Sequence, residues 1–489
     1  MFTFLTSLLI LFLGYKFYGT FLDKKFAPDD RKTPAIMNND GLDFIPMPTW
    51  KVFLIQLLNI AGLGPIFGAI TGALWGPVVC LWIVFGTIFA GAVHDYLSGM
   101  LSERNNGASI AEIVGKYLGN FAKQFMRFFS IILLIMVGVV FIVGPAELIA
   151  MLTPKTLNVK FWTIVILSYY FLSTFLPIDK VVSKIYPMFG ISLLIMAITI
   201  GGATIFYDIK GIAKMPEIWE HFNNMHYKKI PIFPMMFVSV ACGAISGFHA
   251  TQSPMMAKCI KSEKNGKKVF YGAMCIESVI ALIWAYAGAT FFYDVNTNSY
   301  LAEKIVNINN KEEIIKFIGN SSSVYGISIS LLGTFGGIFA ILGVIACPIT
   351  SGDASFRSVR FIIAELLKIN QKNIFKRFII TLAILLTGYI ISLCDYNVIW
   401  RYFSWSNQTL ATIVLWTGAV FLSKNRGKYI GLIASLPASF MSSVSLSYIL
   451  QAQEGFKINA TISNVISIIF TIILFSIFVI KIILNKNKK

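Results

Sequence analysis

Two stretches concentrate the residues able to do chemistry in an otherwise apolar chain. The first is ACGAISGFHATQSPMMAK, Ala241–Lys258, where His249, Gln252 and Lys258 accompany Gly243, Ser246, Gly247 and Pro254. A neutral imidazole donates and accepts at once, and its protonation changes the local charge near physiological pH. The reading beside this one is a satisfied packing histidine. The second stretch begins at His94, HDYLSGMLSERNNG, where Asp95 beside His94 reads either as a proton relay or as a helix-end ion pair with Arg104 at the membrane edge. Glu147 in VGPAELIA and Glu277 in CIESVIALIWAY interrupt apolar runs. A bare carboxylate in hydrocarbon is costly, so each is expected to be paired, hydrated or protonated, with proton coupling as its functional reading.

The elements that must position these groups follow from composition. The chain has 489 residues, 56% hydrophobic and only 13% charged, with a mean hydropathy of +0.73. That is too apolar for a soluble domain and lacks barrel-type alternation, so the expected fold class is an all-α polytopic membrane protein. Apolar windows give about 13 spans, centred near residues 12, 63, 89, 138, 169, 196, 242, 281, 337, 384, 413, 440 and 472. The amino-terminal run FTFLTSLLILFLGYKFYGTFL has no basic leader or small-residue cleavage site and reads as a retained span.

The net charge of +18 resides in short connections, which points to orientation and anionic lipid, not nucleic acid. An external amino terminus and a cytoplasmic carboxyl terminus put roughly 29 Lys and Arg inside and roughly 11 outside. The inside connections are then Asp23–Lys51, Ser102–Lys123, Lys258–Lys268 and the basic end Lys486–Lys489. Outside lie Asp208–Ile230, whose His221 and His226 read as solvated loop residues, and Asp294–Ser323, with a short surface helix expected over Val295–Glu313. Six cysteines without a CxxC pair read as packing residues.

A second interrupted helix answers the first. NIAGLGPIFGAITGALWGP, Asn59–Pro77, places Gly62, Gly64 and Pro65 beside polar Asn59, the signature of an unwound turn, while Gly68 and Gly72 suit close packing. The two lie five spans apart, hence in opposite orientation. This predicts an inverted repeat of five helices, spans two to six and seven to eleven, each opening on a broken helix. The division is then 1–51 (first helix and connection), 52–207 (first repeat), 208–232 (external loop), 233–422 (second repeat) and 423–489 (two further helices and a basic tail). A solute site is expected at mid-membrane, with half-helix amino termini holding a carboxylate and His249 and Gln252 bonding the remainder.

Span nine, Ser330–Lys368, is too long for one straight crossing, and Pro348 with Gly352 is expected to mark its bend. Thr350 and Ser351 offer hydroxyl oxygens to a cation such as sodium, although no firm metal site is expected. Asp353 would hold a proton, cap a helix, or pair with Arg357 or Arg360. In span eleven Asn407 and Gln408 read as interhelical hydrogen-bond residues or as part of the site. No Walker loop, dinucleotide fingerprint, HExxH or serine elbow is present, so neither an enzyme nor a cofactor is expected and energy must come from an ion gradient or a partner.

Five ordered blocks, NIAGLGPIFGAITGALWGP, HDYLSGMLSERNNGASIAEIVGKYLG, GAISGFHATQSPMMAKCI, CPITSGDASFRSVR and SWSNQTLATIVLW, resemble the carbon starvation protein A family of bacterial inner-membrane carriers over nearly the whole chain. The resemblance implies uptake of peptides or pyruvate, the latter by proton symport, and a leucine-transporter-type five-plus-five fold. The implied partners are a small carboxylate solute, H+ or Na+, and membrane lipid. The alternatives are a sodium-coupled carrier of another small organic solute, or a nutrient-binding channel or sensor.

Overall fold

A computed structural model describes residues 1–41, 44–173, 178–293, 321–369 and 373–484. Every regular element among them is helical. A helix satisfies its backbone within its own segment, which is what a hydrocarbon surrounding demands. The helices that matter here are α1 (Phe2–Phe26), α2 (Thr49–Ile60), α3 (Gly64–Trp75), α4 (Val79–Arg104), α5 (Ile110–Leu118), α6 (Asn120–Leu152), α7 (Val159–Ser173) and α8 (Ile178–Ile209). They continue as α9 (Ala241–Ala244), α10 (Gly247–Ala257), α11 (Glu263–Tyr293), α12 (Ser321–Leu366), α13 (Ile374–Ser392), α14 (Tyr396–Asn425), α15 (Leu432–Gln451) and α16 (Ala460–Leu484).

Among the described residues nine helices are long and apolar enough to cross a membrane, or ten if α2 and α3 form one bent span. The other expected centres fall on α7, which is 15 residues long, on the interrupted pair α9 and α10, and on the more polar α14. The surface helix expected over Val295–Glu313 and the basic end Lys486–Lys489 lie outside the described residues.

The interruptions are local in sequence. Between α2 and α3 the chain turns at Ala61–Leu63 and changes direction by 57°. Gly62 lies in that turn, whereas Gly64 and Pro65 open α3, where a proline's missing N–H costs nothing because the first turn leaves that donor unsatisfied. The second break differs from expectation. It falls at Ile245 and Ser246, both fully extended. Gly243 lies within α9, Gly247 starts α10, and Pro254 sits inside an unbroken α10. The physical reason is that a β-branched residue followed by serine readily leaves the helical region and serine favours the position before a helix, whereas an interior proline removes only one hydrogen bond. In α12 the bend is likewise not at Pro348 and Gly352. It is at Gly333, whose φ of +67° is cheap for glycine alone.

The two broken helices touch. Gly64 lies against Cys242, and a Cβ at Gly68 would stand 2.8 Å from the Ser239 carbonyl oxygen. Helix α6 runs along α12, and α10 is wedged among α2, α4 and α14. At one end of the bundle the Ile45 amide donates to Lys258 O (3.2 Å), Met47 to Cys259 O (3.0 Å) and Asp29 to the Glu263 carboxylate (2.7 Å). At the other end the amides of Phe2 and Thr3 donate to Glu217 at 2.9 and 2.8 Å, so the start of α1 and the segment 208–230 lie together.

Candidate functional site

His249, in the first turn of α10, faces two acids from two other helices. Its Nδ1 lies 2.9 Å from Asp95 Oδ2 on α4, and its Nε2 lies 3.4 Å from Glu277 Oε2 on α11. The other Asp95 oxygen is 2.7 Å from His94 Nδ1. All four side chains are fully buried. Asp95 is therefore buried within the bundle, and it is not the partner of Arg104. Nine residues of helix, about 13 Å, separate the two, and Arg104 instead pairs with Glu263. Glu277 accepts no hydrogen bond among the described residues. A buried carboxylate in that position is tolerable only with a nearby cation or a bound proton, and His249 is the group placed to supply either.

The break before α10 is held from α14. Asn407 Oδ1 accepts from the Ser246 hydroxyl (3.0 Å) and from the Phe248 amide (2.9 Å). The first amides of α10, expected to face a solute carboxylate, thus include one already taken by a side chain. Gly247 permits this approach, since a Cβ there would stand 2.6 Å from the Asn407 carbonyl oxygen. Gln252 donates to Thr251 Oγ1 at 2.8 Å and its own buried oxygen has no hydrogen-bond partner among the described residues, while Gln408 donates to Phe237 O at 3.3 Å. On the other side of the break Thr87 contacts Ser278 (2.6 Å) and donates to the Gly243 carbonyl (3.4 Å), a backbone oxygen near the end of α9.

A second group gathers at the end of α2. The Ser351 hydroxyl donates to Leu58 O at 2.6 Å, the Cys347 thiol to Ala61 O, and Thr350 Oγ1 to Cys347 O at 2.7 Å. One hydroxyl, that of Ser351, therefore meets a carbonyl in the last turn of α2, and the Cys347 thiol meets the first carbonyl of the turn that follows. Asp353 accepts from the Ser173 hydroxyl and pairs with Arg357 at 3.2 Å. Glu147 accepts from Ser321 at 2.9 Å. No contact links either acid to His249. Among the described residues no three or more His, Cys, Asp or Glu side chains converge as metal ligands.

A cavity of about 380 Å³ opens near α2 and α10. Its walls include Asn59, Ser130, Thr251, Met255, Arg127 and Arg357, and Asn59 Oδ1 is buried without a hydrogen-bond partner among the described residues. Arg127 is held by Glu112 (2.5 Å) and Glu365 (2.7 Å). Sequence reading missed Thr87, Ser278, Ser130, Thr251 and Arg127. A hydroxyl or a cation within an apolar run was the available signal, but serine and threonine bond their own helix so often that the signal is weak.

Solved transporter structures share this helix arrangement. A crystal structure of an Eremococcus coleocola manganese transporter, in complex with an aromatic bis-isothiourea substituted compound, matches with a TM-score of 0.56 over 91% of this chain and 98% of that one, at 12% identity. At that identity the likeness is one of fold alone. Two interrupted helices in contact, with a buried polar cluster beside one break, define the class as a polytopic membrane transporter. Within that class the chain belongs to the family described as carbon starvation protein CstA, whose profile matches residues 1–151, 146–330 and 318–448. An uncharacterized membrane protein of Haemophilus influenzae is 42% identical over 58% of this chain and 89% of its own length. The peptide transporter CstA of Campylobacter jejuni is 25% identical over 94% of this chain and 82% of its own. The pyruvate/proton symporter BtsT of Escherichia coli is 26% identical over 57% of this chain and 47% of its own.

Proposed function

We propose that this protein is a secondary active transporter of the bacterial inner membrane that imports small carboxylate-bearing nutrients, peptides or pyruvate, in symport with protons. The observation that carries the reading is His249, set beside a helix break and between the buried carboxylates of Asp95 and Glu277. With both acids ionised and His249 protonated the trio carries one net negative charge; one further proton makes it neutral. Charge in a low-dielectric interior is costly, so proton uptake and release bias which arrangement of the surrounding helices is favoured. The names of the relatives, a peptide transporter and a pyruvate/proton symporter, agree with this substrate class.

In this reading the chain makes thirteen crossings arranged as two inverted five-helix repeats, with the amino terminus outside and the carboxyl terminus in the cytoplasm. The cavity walled by Asn59 and Thr251 is the inward vestibule, and α3 and α10 are the half-helices whose amino termini face the solute. A solute carboxylate reaches the Phe248 amide by replacing Asn407. The deciding experiment is uptake of labelled pyruvate and of a dipeptide into proteoliposomes under an imposed proton or sodium gradient. Accumulation driven by the proton gradient supports the proposal, and no accumulation under either gradient overturns it.

A sodium-coupled version rests on a separate observation, the Ser351 hydroxyl on the Leu58 carbonyl in the last turn of α2, with the Thr350 hydroxyl one residue away and the Ala61 carbonyl met by the Cys347 thiol. Uptake driven by sodium alone would favour it.

A further inference from the structure

At the end of the bundle where α4 and α14 finish, a pocket of about 300 Å³ is walled by Arg31, Arg104, Lys116 and Arg426 with the amides of Asn105 and Asn425. Among the described residues no carboxylate lines it. Two of its cations are committed elsewhere. Arg31 grips Asp29 through two hydrogen bonds of 2.8 and 2.6 Å, and Arg104 pairs with Glu263. Lys116 and Arg426 have no carboxylate partner among the described residues. Lys116 Nζ donates to Asn105 Oδ1 (2.6 Å), and Arg426 donates to Ala27 O (3.3 Å) while its buried Nε has no hydrogen-bond partner among the described residues. Burial, then the charge of Arg104, pushes the Arg426 guanidinium below its ordinary pKa. The pocket therefore holds uncompensated positive charge in a partly desolvated place, an arrangement that a bound anion relieves.

We propose that this pocket binds a phosphate group, with Lys116 and Arg426 as its principal cations and Asn105 and Asn425 as neutral donors. Arginine presents a planar fork of donors suited to phosphate oxygens, and lysine adds a point charge. Tyr117 and Phe421, edge to face at 5.7 Å, give the same pocket an apolar wall. Phosphate of this kind comes either from a phospholipid headgroup at the bilayer surface or from soluble phosphate, and the chemistry of the pocket is the same for both. The position gives binding a structural consequence. Lys116 is on α5, whose first turn lines the 380 Å³ cavity. Arg104 ends the helix that carries Asp95, and Arg426 follows the helix that carries Asn407. A phosphate held here ties α5 to the ends of α4 and α14.

The test uses the full chain in nanodiscs. Thermal unfolding is measured in phosphatidylcholine alone, in phosphatidylcholine with phosphatidylglycerol, and in phosphatidylcholine with added inorganic phosphate. A stabilising ligand should raise the midpoint by about 2–4 °C, and the combined Lys116→Gln and Arg426→Gln variant should show no such rise. A rise with phosphatidylglycerol only identifies the headgroup as the source, and a rise with inorganic phosphate identifies the soluble anion. Native mass spectrometry of the single variants and of Lys116→Arg covers the case in which the double variant folds poorly: phosphatidylglycerol or phosphate should remain bound to Lys116→Arg and be lost from Lys116→Gln. Equal shifts and equal retention in wild type and the glutamine variants, or no binding by wild type, overturn the proposal.

Discussion

His249 and Asp95 are 154 residues apart in sequence, yet their side chains meet at 2.9 Å in a fully buried site. The contact joins α4 to the half-helix after the second break. If it couples protons to transport, His249→Ala should lower proton-driven uptake at least about tenfold, which corresponds to about 1.4 kcal/mol. It should also remove the pH dependence of what uptake remains. Normal uptake at every pH, in protein that elutes as a single species, removes His249 from the mechanism.

The same cluster makes a stability prediction. His249→Ala leaves Asp95 and Glu277 buried without the shared imidazole, and breaking a buried ion pair from one side costs about 3–5 kcal/mol. Adding Glu277→Gln to that variant removes one of the two acids and should recover part of the loss. A thermal unfolding cycle over the two sites measures the coupling, and strict additivity would show that they do not interact.

At the end of α2, the pair Thr350→Ala and Ser351→Ala tests whether these two hydroxyls, of which Ser351 reaches the Leu58 carbonyl, also hold a cation. The expected outcome, if sodium binds there, is a changed dependence of uptake on sodium concentration. Unchanged dependence reassigns both residues to packing.

Outside the membrane-spanning segments, His226 offers a pH test. It is buried against Trp75, with ring centroids 4.6 Å apart, and its Nδ1 accepts the Lys228 amide at 3.2 Å, which requires the neutral form. Burial, with Lys228 nearby, pushes its pKa down to about 4 from 6.5. Protonation in this window favours the undocked loop. Docking should therefore be fully stable above about pH 6.5 and weaken as pH falls toward 4. Hydrogen exchange across 208–230 at pH 7.5 and at pH 5 reads this directly. His226→Phe should flatten the difference, and an unchanged profile would contradict it.

Much of this is legible in the amino-acid sequence. Apolar runs fix the helices because hydrocarbon leaves the backbone no other partner, and the pairing of Asn59–Pro77 with Ala241–Lys258 located both interruptions. The exact break at Ile245 and Ser246 was not legible, because glycine and proline are the louder signals and neither interrupts α10. Gly333 was overlooked for the same reason in favour of Pro348. The convergence of His94, Asp95, His249 and Glu277 was invisible too: each acid was conspicuous alone, but sequence spacing carries no information about which of several helices faces which. His226, read as solvated, is buried because Trp75 and Ile230 close over it.

Asn407 accepts from the Ser246 hydroxyl and the Phe248 amide. Under the proposed function, solute binding at that point is therefore a swap of one hydrogen-bond acceptor for another, not the filling of a vacancy. The net gain per bond in such an exchange is small, so affinity there should be modest and release correspondingly fast. A site that supplies its own stand-in acceptor favours turnover over retention, which suits a carrier working on nutrients that must be let go on the far side.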